Sequence, residues 1–229
     1  MARDGAIMAF YKLAIFDFDG TLADSLSMLP AKLNQAAARF GFRQVSDDEF
    51  TLLRGRGTRD LIRDLGVPMW KIPTIAAWMR RMAAEDAGSQ SLFPGADALL
   101  RRLHDAGVGL AVVSSNSQAT VIRGLGPDSA ALLSHYECGT AIFGKAAKFR
   151  KVLRRADLPG SSVIAIGDEA RDIEAAHEAG VDAGAVTWGF ATPDLLLRHK
   201  PEILFNSMSE IGDRIVGPRA EATNLDNPK

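Results

Sequence analysis

Four acidic residues in two short clusters carry the strongest chemical signal in this chain. Asp17 and Asp19 stand two apart in Asp17-Phe18-Asp19-Gly20-Thr21. If the backbone stays extended there, both carboxylates face one side. A pair so placed suits a nucleophile beside an acid/base, and it also suits a hard cation such as Mg2+. An isolated Asp-x-Asp-Gly reads equally as a solvated turn ending a strand. Asp168 and Asp172, four apart at a strand-to-helix junction, both point from a first helical turn to the same side. Standing alone, they would read as acids complementing a helix N-terminus. A third polar cluster, Ser114-Ser115-Asn116, also follows an apolar run.

These clusters must be positioned by strands. Residues 12–17, 108–114 and 162–167 are continuous apolar runs, the pattern of strands covered on both faces of a parallel sheet. Weaker runs at 136–143 and 181–186 have similar flanks. Helical patterns at 95–106, 118–125, 146–156 and 170–179 lie between them, the last closed by Gly180. Alternating strand and helix predicts an α/β fold with a doubly wound, mostly parallel sheet. Ligands of such sheets bind outside the carboxyl ends of the strands, where all three polar clusters fall. Residues 25–93 break the alternation with helical patterns only, at 26–40, 47–53, 59–65 and 73–87. They are expected to form an inserted helical cap, placed so that it closes over the crevice. The expected division is a discontinuous core of 10–24 and 94–216, the cap, and a polar tail from 217 to 229.

The stretch Asp17-Phe18-Asp19-Gly20-Thr21-Leu22-Ala23-Asp24-Ser25 closely resembles the first motif of the haloacid dehalogenase-like phosphohydrolases. Val112-Val113-Ser114-Ser115-Asn116 resembles their second motif, and Gly167-Asp168-Glu169-Ala170-Arg171-Asp172 their fourth. Leu92-Phe93-Pro94-Gly95 and Val186-Thr187-Trp188-Gly189-Phe190 look like the phosphoglycolate phosphatase branch. The resemblance implies a Rossmann-like core and a Mg2+-dependent phosphatase. Asp17 would attack phosphorus to form an aspartyl-phosphate, and Asp19 would protonate the leaving oxygen and then activate water. Mg2+ would be held by the Asp17 carboxylate, the Asp19 backbone carbonyl and Asp168, with Asp172 orienting from behind. Ser115, with Ser114 as the alternative hydroxyl, and the Asn116 backbone amide would hold phosphoryl oxygens. A lysine would complete the neutralisation. Here the chain departs from its relatives' Lys-Pro-x-Pro and reads Gly144-Lys145-Ala146-Ala147-Lys148, so Lys145 is the expected residue and Lys148 the alternative. Two other readings use the same fold: a phosphomutase with the same aspartates, and a non-catalytic phosphate-binding regulatory protein.

Composition narrows the partners. Of 229 residues, 27 are basic and 28 acidic, and a net charge of −1 gives no global field toward nucleic acid or an anionic membrane. A small phosphorylated metabolite held by local groups is the expected ligand, and a monomer or homodimer the expected state. Cys138 is the only cysteine, so no internal disulfide forms; with no apolar secretion signal near the start, the cytoplasm is the expected location. Gly139 to Lys145 nearly spells a P-loop, but Ala146 stands where Mg2+ needs a hydroxyl. His104, His135, His177 and His199 lack ligand spacing. The turn Arg54-Gly55-Arg56-Gly57 joins two expected cap helices, and its arginines are candidates for reading the substrate's non-reacting end, or else an exposed basic turn.

Overall fold

Leu13–Phe16 forms β1, and all four of its side chains are fully buried. Even positions serve one face of the sheet and odd positions the other. Ala14 and Phe16 join a cluster with Leu110, Val112, Ile164 and Ile166, while Leu13 and Ile15 pack with Ala111, Val113, Val163 and Ala165. Burial on both faces is why these runs are continuous rather than alternating. In the computed structural model, which describes residues 10–86, 91–139 and 144–217, β1 is followed by α1 (Leu29–Phe40), α2 (Asp47–Arg54), α3 (Thr58–Asp64) and α4 (Ile72–Asp86). The alternation then resumes: α5 (Ala96–Asp105), β2 (Gly109–Val113), α6 (Gln118–Ala131), β3 (His135–Glu137), α7 (Lys145–Ala156), β4 (Val163–Gly167), α8 (Ala170–Ala179) and β5 (Asp182–Val186). Among the described residues, α9 (Pro193–Arg198), β6 (Ile203–Phe205) and α10 (Met208–Val216) follow.

The six strands are parallel, in the order β3-β2-β1-β4-β5-β6. This is the doubly wound arrangement expected, and it puts the switch point between β1 and its neighbour β4. Phe16 pairs with both Val112 and Ile166, so Asp17, Ser114 and Asp168 leave the sheet at nearly one level. The three polar clusters are therefore brought together by strand register.

Local signals explain most boundaries. Ser46, Ser117 and Ser207 cap α2, α6 and α10, each side-chain oxygen accepting a backbone N–H three residues on. Gly180 ends α8 with φ 73°. The expected end of α6 at Leu125 coincides with a real break, because Gly126 has φ 75° and Pro127 follows; one more helical stretch then runs to Ala131. β3 is shorter than the expected 136–143, and 140–143 lie outside the described residues. So do most of the expected tail, beyond Gly217, and residue 87 of the fourth insert helix. The sequence reading had no counterpart for α9, β6 and α10. Ile203–Phe205 is only three residues long, too short for a periodic pattern to register.

The insert between β1 and β2 joins the core through two strands of chain that pair with each other. Ala23 and Leu92 form an antiparallel bridge, the Phe93 N–H donates to Leu22 O at 2.8 Å, and the Asp24 N–H donates to Ser91 O at 2.9 Å. Among the described residues of 25–93 there are four α-helices and no strand of the sheet. No described helix is long and apolar enough to cross a membrane.

Candidate active site

The end of β1 delivers Asp17 into a buried carboxylate cluster. Asp17, Asp168 and Asp172 each offer an oxygen within 4.8 Å of the other two. The Phe18 N–H donates to Asp17 Oδ1 at 2.7 Å, and Lys145 Nζ lies 2.8 Å from Asp17 Oδ2. Lys145 also reaches Asp172 Oδ1 at 2.6 Å, so one ammonium bridges two carboxylates. Asp172 Oδ2 accepts the N–H groups of Asp168 and Glu169, both at 3.1 Å. With both oxygens engaged, Asp172 is a buttress of the loop after β4. Glu169 completes a reciprocal capping box at the start of α8.

Asp168 has different neighbours. Its Oδ1 accepts the Thr21 hydroxyl at 3.2 Å and its Oδ2 the Phe190 N–H at 2.7 Å, and it makes no ion pair among the described residues. Two glycines make room for it. Gly20 has φ 72°, and a Cβ there would fall 2.1 Å from Asp168 Oδ2; a Cβ on Gly189 would fall 2.0 Å from Asp168 Cβ.

Electrostatics follow from this packing. Burial pushes the Asp17 carboxyl above its usual range despite Lys145 beside it. Burial and then the Glu169, Asp172 and Asp17 charges push Asp168 well above it. For Asp172 burial acts in the same direction, but Lys145 and Arg171 outweigh it and hold that carboxyl low. Burial alone would lower Lys145, yet Asp17 and Asp172 raise it, so it stays a cation. Of the three buried carboxylates, Asp17 and Asp172 share the bridging Lys145, and Asp168 has no ion-pair partner among the described residues. An all-oxygen donor set with surplus negative charge fits a hard divalent cation.

Asp19 lines the same cavity as Asp168 and is held from β2. Asn116 Nδ2 donates to Asp19 Oδ2 at 2.7 Å, which ties the end of β2 to the second carboxylate. The Asn116 backbone N–H, expected to meet a phosphoryl group, donates here to Ser114 Oγ at 3.1 Å. Ser114 is buried with its hydroxyl so used, whereas Ser115 lines the cavity above the strand ends.

The two candidate lysines separate on tertiary grounds. Both start from α7, but Lys148 Nζ donates to the carbonyls of Ser114 at 3.1 Å and Glu137 at 2.5 Å, tying the ends of β2 and β3. Burial lowers its pKa. Lys145 is the one at Asp17.

Matching the chain against known families gives the haloacid dehalogenase-like hydrolases over residues 14–186. The chain belongs to this family. A phosphoglycolate phosphatase from Synechococcus elongatus is 32% identical over 198 residues, covering 86% of this chain and 93% of that protein. The tyrosine-protein kinase PtkA of Mycobacterium tuberculosis is 29% identical over 195 residues, covering 81% of this chain and 65% of that one. A solved structure, of a predicted phosphatase from Clostridium acetobutylicum, superposes with a TM-score of 0.76 at 21% identity, covering 91% and 99% of the two chains, and shares the fold. Family and phosphoglycolate phosphatase relatives place this member among the phosphatase hydrolases.

Arg54 and Arg56 do not meet the cavity of this hydrolase. Arg54 Nε and Nη2 donate to the carbonyls of Phe190 at 2.7 Å and Gly189 at 2.6 Å, fastening α2 to the loop after β5. Arg56 pairs with Asp64 at 2.8 Å on the surface. The reason lies in docking: Phe50 and Phe190 stack edge to face, and that contact sets Arg54 over the core loop. Arg54→Ala is expected to cost about 1.5–3 kcal/mol of stability, the range for hydrogen bonds to a charged group. Its kcat/KM should fall by one common factor for all phosphoesters. Arg56→Ala should change stability by less than about 0.5 kcal/mol. Chemical denaturation and a two-substrate assay check both; a tenfold loss confined to one substrate would return the arginines to recognition.

Sequence reasoning missed Thr21, Glu169 and Arg171. Glu169 receives hydrogen bonds from both Thr58 of the insert and Arg171, so it latches α3 to the site. Arg171 lies on the cavity wall, and its buried Nε has no hydrogen-bond partner among the described residues. The available signal was the spacing Glu169-x-x-Asp172, an acidic capping pair.

Proposed function

We propose that this hydrolase cleaves a small phosphorylated metabolite through an aspartyl-phosphate on Asp17, with Mg2+ as its metal. The observation that carries the reading is the pinned carboxylate of Asp17: one oxygen fixed by the Phe18 N–H, the other neutralised by Lys145, beside the unpaired charge of Asp168. A nucleophile so oriented reacts without losing rotational freedom at the moment of attack. Asp17 attacks phosphorus, the bond to the ester oxygen breaks, and Asp19 gives that oxygen its proton. Water then adds to phosphorus, its proton passes to Asp19, and the acyl phosphate bond breaks to return the Asp17 carboxylate. Asn116 keeps Asp19 turned toward the reaction through its side-chain amide. Ser115 and Lys145 hold phosphoryl oxygens.

Asp17 and Asp168, with the Asp19 backbone carbonyl by family resemblance, are the groups that hold Mg2+, and Asp172 fixes their loop. Bound there, the ion supplies positive charge against the repulsion between carboxylate and phosphoryl group. Operation in the cytoplasm as a monomer or homodimer belongs to the same reading.

Phosphate release from p-nitrophenyl phosphate tests it. Activity should require Mg2+, vanish on chelation and return on adding the ion. Release of inorganic phosphate in step with the alcohol, with no acceptor present, distinguishes hydrolysis from transfer in the manner of a mutase or kinase. Asp19→Asn should slow turnover by about 10²–10⁴-fold, the usual contribution of a positioned acid/base. Because p-nitrophenolate leaves without help, this variant should also accumulate phosphoenzyme. Turnover within threefold of wild type would remove Asp19 from the proton path.

A further inference from the structure

Between the core and the insert lies a cavity of about 310 Å³, roofed by α1, α3 and α4. Its polar groups are gathered at the core end, where Asp19, Ser115, Asn116, Asp168, Glu169 and Arg171 meet it, with Arg171 held to Glu169. Asp17, paired with Lys145, has an oxygen within 4.8 Å of the wall residue Asp168, so a phosphoryl group placed at Asp17 occupies the edge and leaves the cavity to the rest of the ester. That remainder is large: the volume is about twice the ~150 Å³ that accepts a benzene ring.

The insert side is built almost wholly of hydrocarbon. Leu33, Phe42, Ile62, Ile75 and Met79 face the space, with Ala76 and Ala83 widening it along one face of α4. Each of these side chains borders the cavity without filling it, although an insert of this size gains stability by closing its own core. The polar groups of that wall are few. Lys32 is neutralised by Asp86 at 2.8 Å, and the Thr58 hydroxyl is given to Glu169. Arg80 pairs with no acid among the described residues, which makes it the insert-wall group able to meet an anionic substituent. A sugar phosphate needs partners for several hydroxyls. A compact carboxylated ester such as phosphoglycolate would leave most of the apolar wall unfilled. Burying polar groups without partners costs free energy, whereas each buried methylene is favourable.

Resting on the phosphatase reading above, we infer that the substrate is the phosphomonoester of a predominantly apolar alcohol, a chain or ring that fills the hollow of the insert. Ethyl, butyl and hexyl phosphate, with phosphoglycolate as the compact anionic alternative, test this on the wild-type enzyme. The expected kcat/KM rises by about threefold per added methylene, on the order of eightyfold from ethyl to hexyl. Hexyl phosphate should exceed phosphoglycolate by about tenfold or more. A flat or falling profile, or preference for phosphoglycolate, overturns the inference. Ala76→Phe, which fills the hollow, should lower the hexyl-to-ethyl ratio by roughly tenfold. An unchanged ratio counts against the cavity as the binding place.

Inhibition by hexylphosphonate and ethylphosphonate gives the same information without a variant, and equal inhibition constants also overturn it. The two readings fail separately. Asp17-dependent hydrolysis with no chain-length preference leaves the phosphatase and removes the apolar substrate. Tighter calorimetric binding of hexylphosphonate by a protein that hydrolyses no phosphomonoester leaves the apolar site and removes the phosphatase.

Discussion

Asp17→Asn is expected to abolish turnover, with kcat lower by about 10⁴-fold or more, a loss of roughly 5.5 kcal/mol in transition-state stabilisation. The substitution keeps the shape of the side chain. Asn Oδ1 can still accept the Phe18 N–H, and Lys145 keeps Asp172 at 2.6 Å. The loss is therefore chemical. An amide oxygen is a poor nucleophile toward phosphorus, and the variant removes one of the three charges clustered within 4.8 Å. Stability should move the other way. Burial already opposes ionisation of Asp17, so replacing it by a neutral group relieves repulsion with Asp168 and Asp172. The metal-free variant should melt no lower than the wild type. Single-turnover assays and thermal denaturation check the two halves. A variant retaining a tenth of wild-type kcat would remove Asp17 from the role of nucleophile.

The second large effect is expected at Lys145. Lys145→Met leaves Asp17 and Asp172 buried without their shared cation, and breaking a buried pair from one side costs about 3–5 kcal/mol. Turnover should fall by about 10²–10³-fold as well, the loss typical of removing one donor to a developing oxyanion. Mg2+ should recover part of the stability, because a cation bound by the same carboxylates stabilises the folded state by mass action. It should not restore the rate. Lys148→Met provides the contrast. Its ammonium serves two strand-end carbonyls, so stability should drop while the surviving folded enzyme keeps most of its kcat. Denaturation with and without Mg2+, alongside kcat per folded molecule, separates the two. The opposite pattern, with Lys148 controlling the rate, would reverse the assignment.

Much of the site was legible in the sequence because it is organised by short-range rules. Residues 13–16, 109–113 and 163–167 are strands because their runs have no polar face to offer solvent. A polar residue directly after such a run must leave the sheet at its carboxyl end, which is why Asp17, Ser114 and Asp168 could be grouped before any contact was known. The spacing of Asp168 and Asp172 likewise follows from one helical turn.

What the sequence left open was decided by docking over long separations. Lys145 and Lys148 are equivalent by type and three residues apart. The placement of α7 against the ends of β2 and β3 gives one to backbone carbonyls and the other to Asp17. Arg54 reads as an exposed turn residue, yet its partners lie 135 and 136 residues away. Asn116 carries both a backbone and a side-chain donor, and only the fold of its loop assigns the first to Ser114 and the second to Asp19. The apolar hollow is the clearest case. The amphipathic pattern of α1, α3 and α4 marks which faces turn inward, but periodicity carries no measure of the distance between faces that turn toward each other. That distance depends on how the insert rests on the core, with α2 held at Gly189 and Phe190 through Arg54 and α3 held at Glu169 through Thr58, and it determines the room left for a substrate.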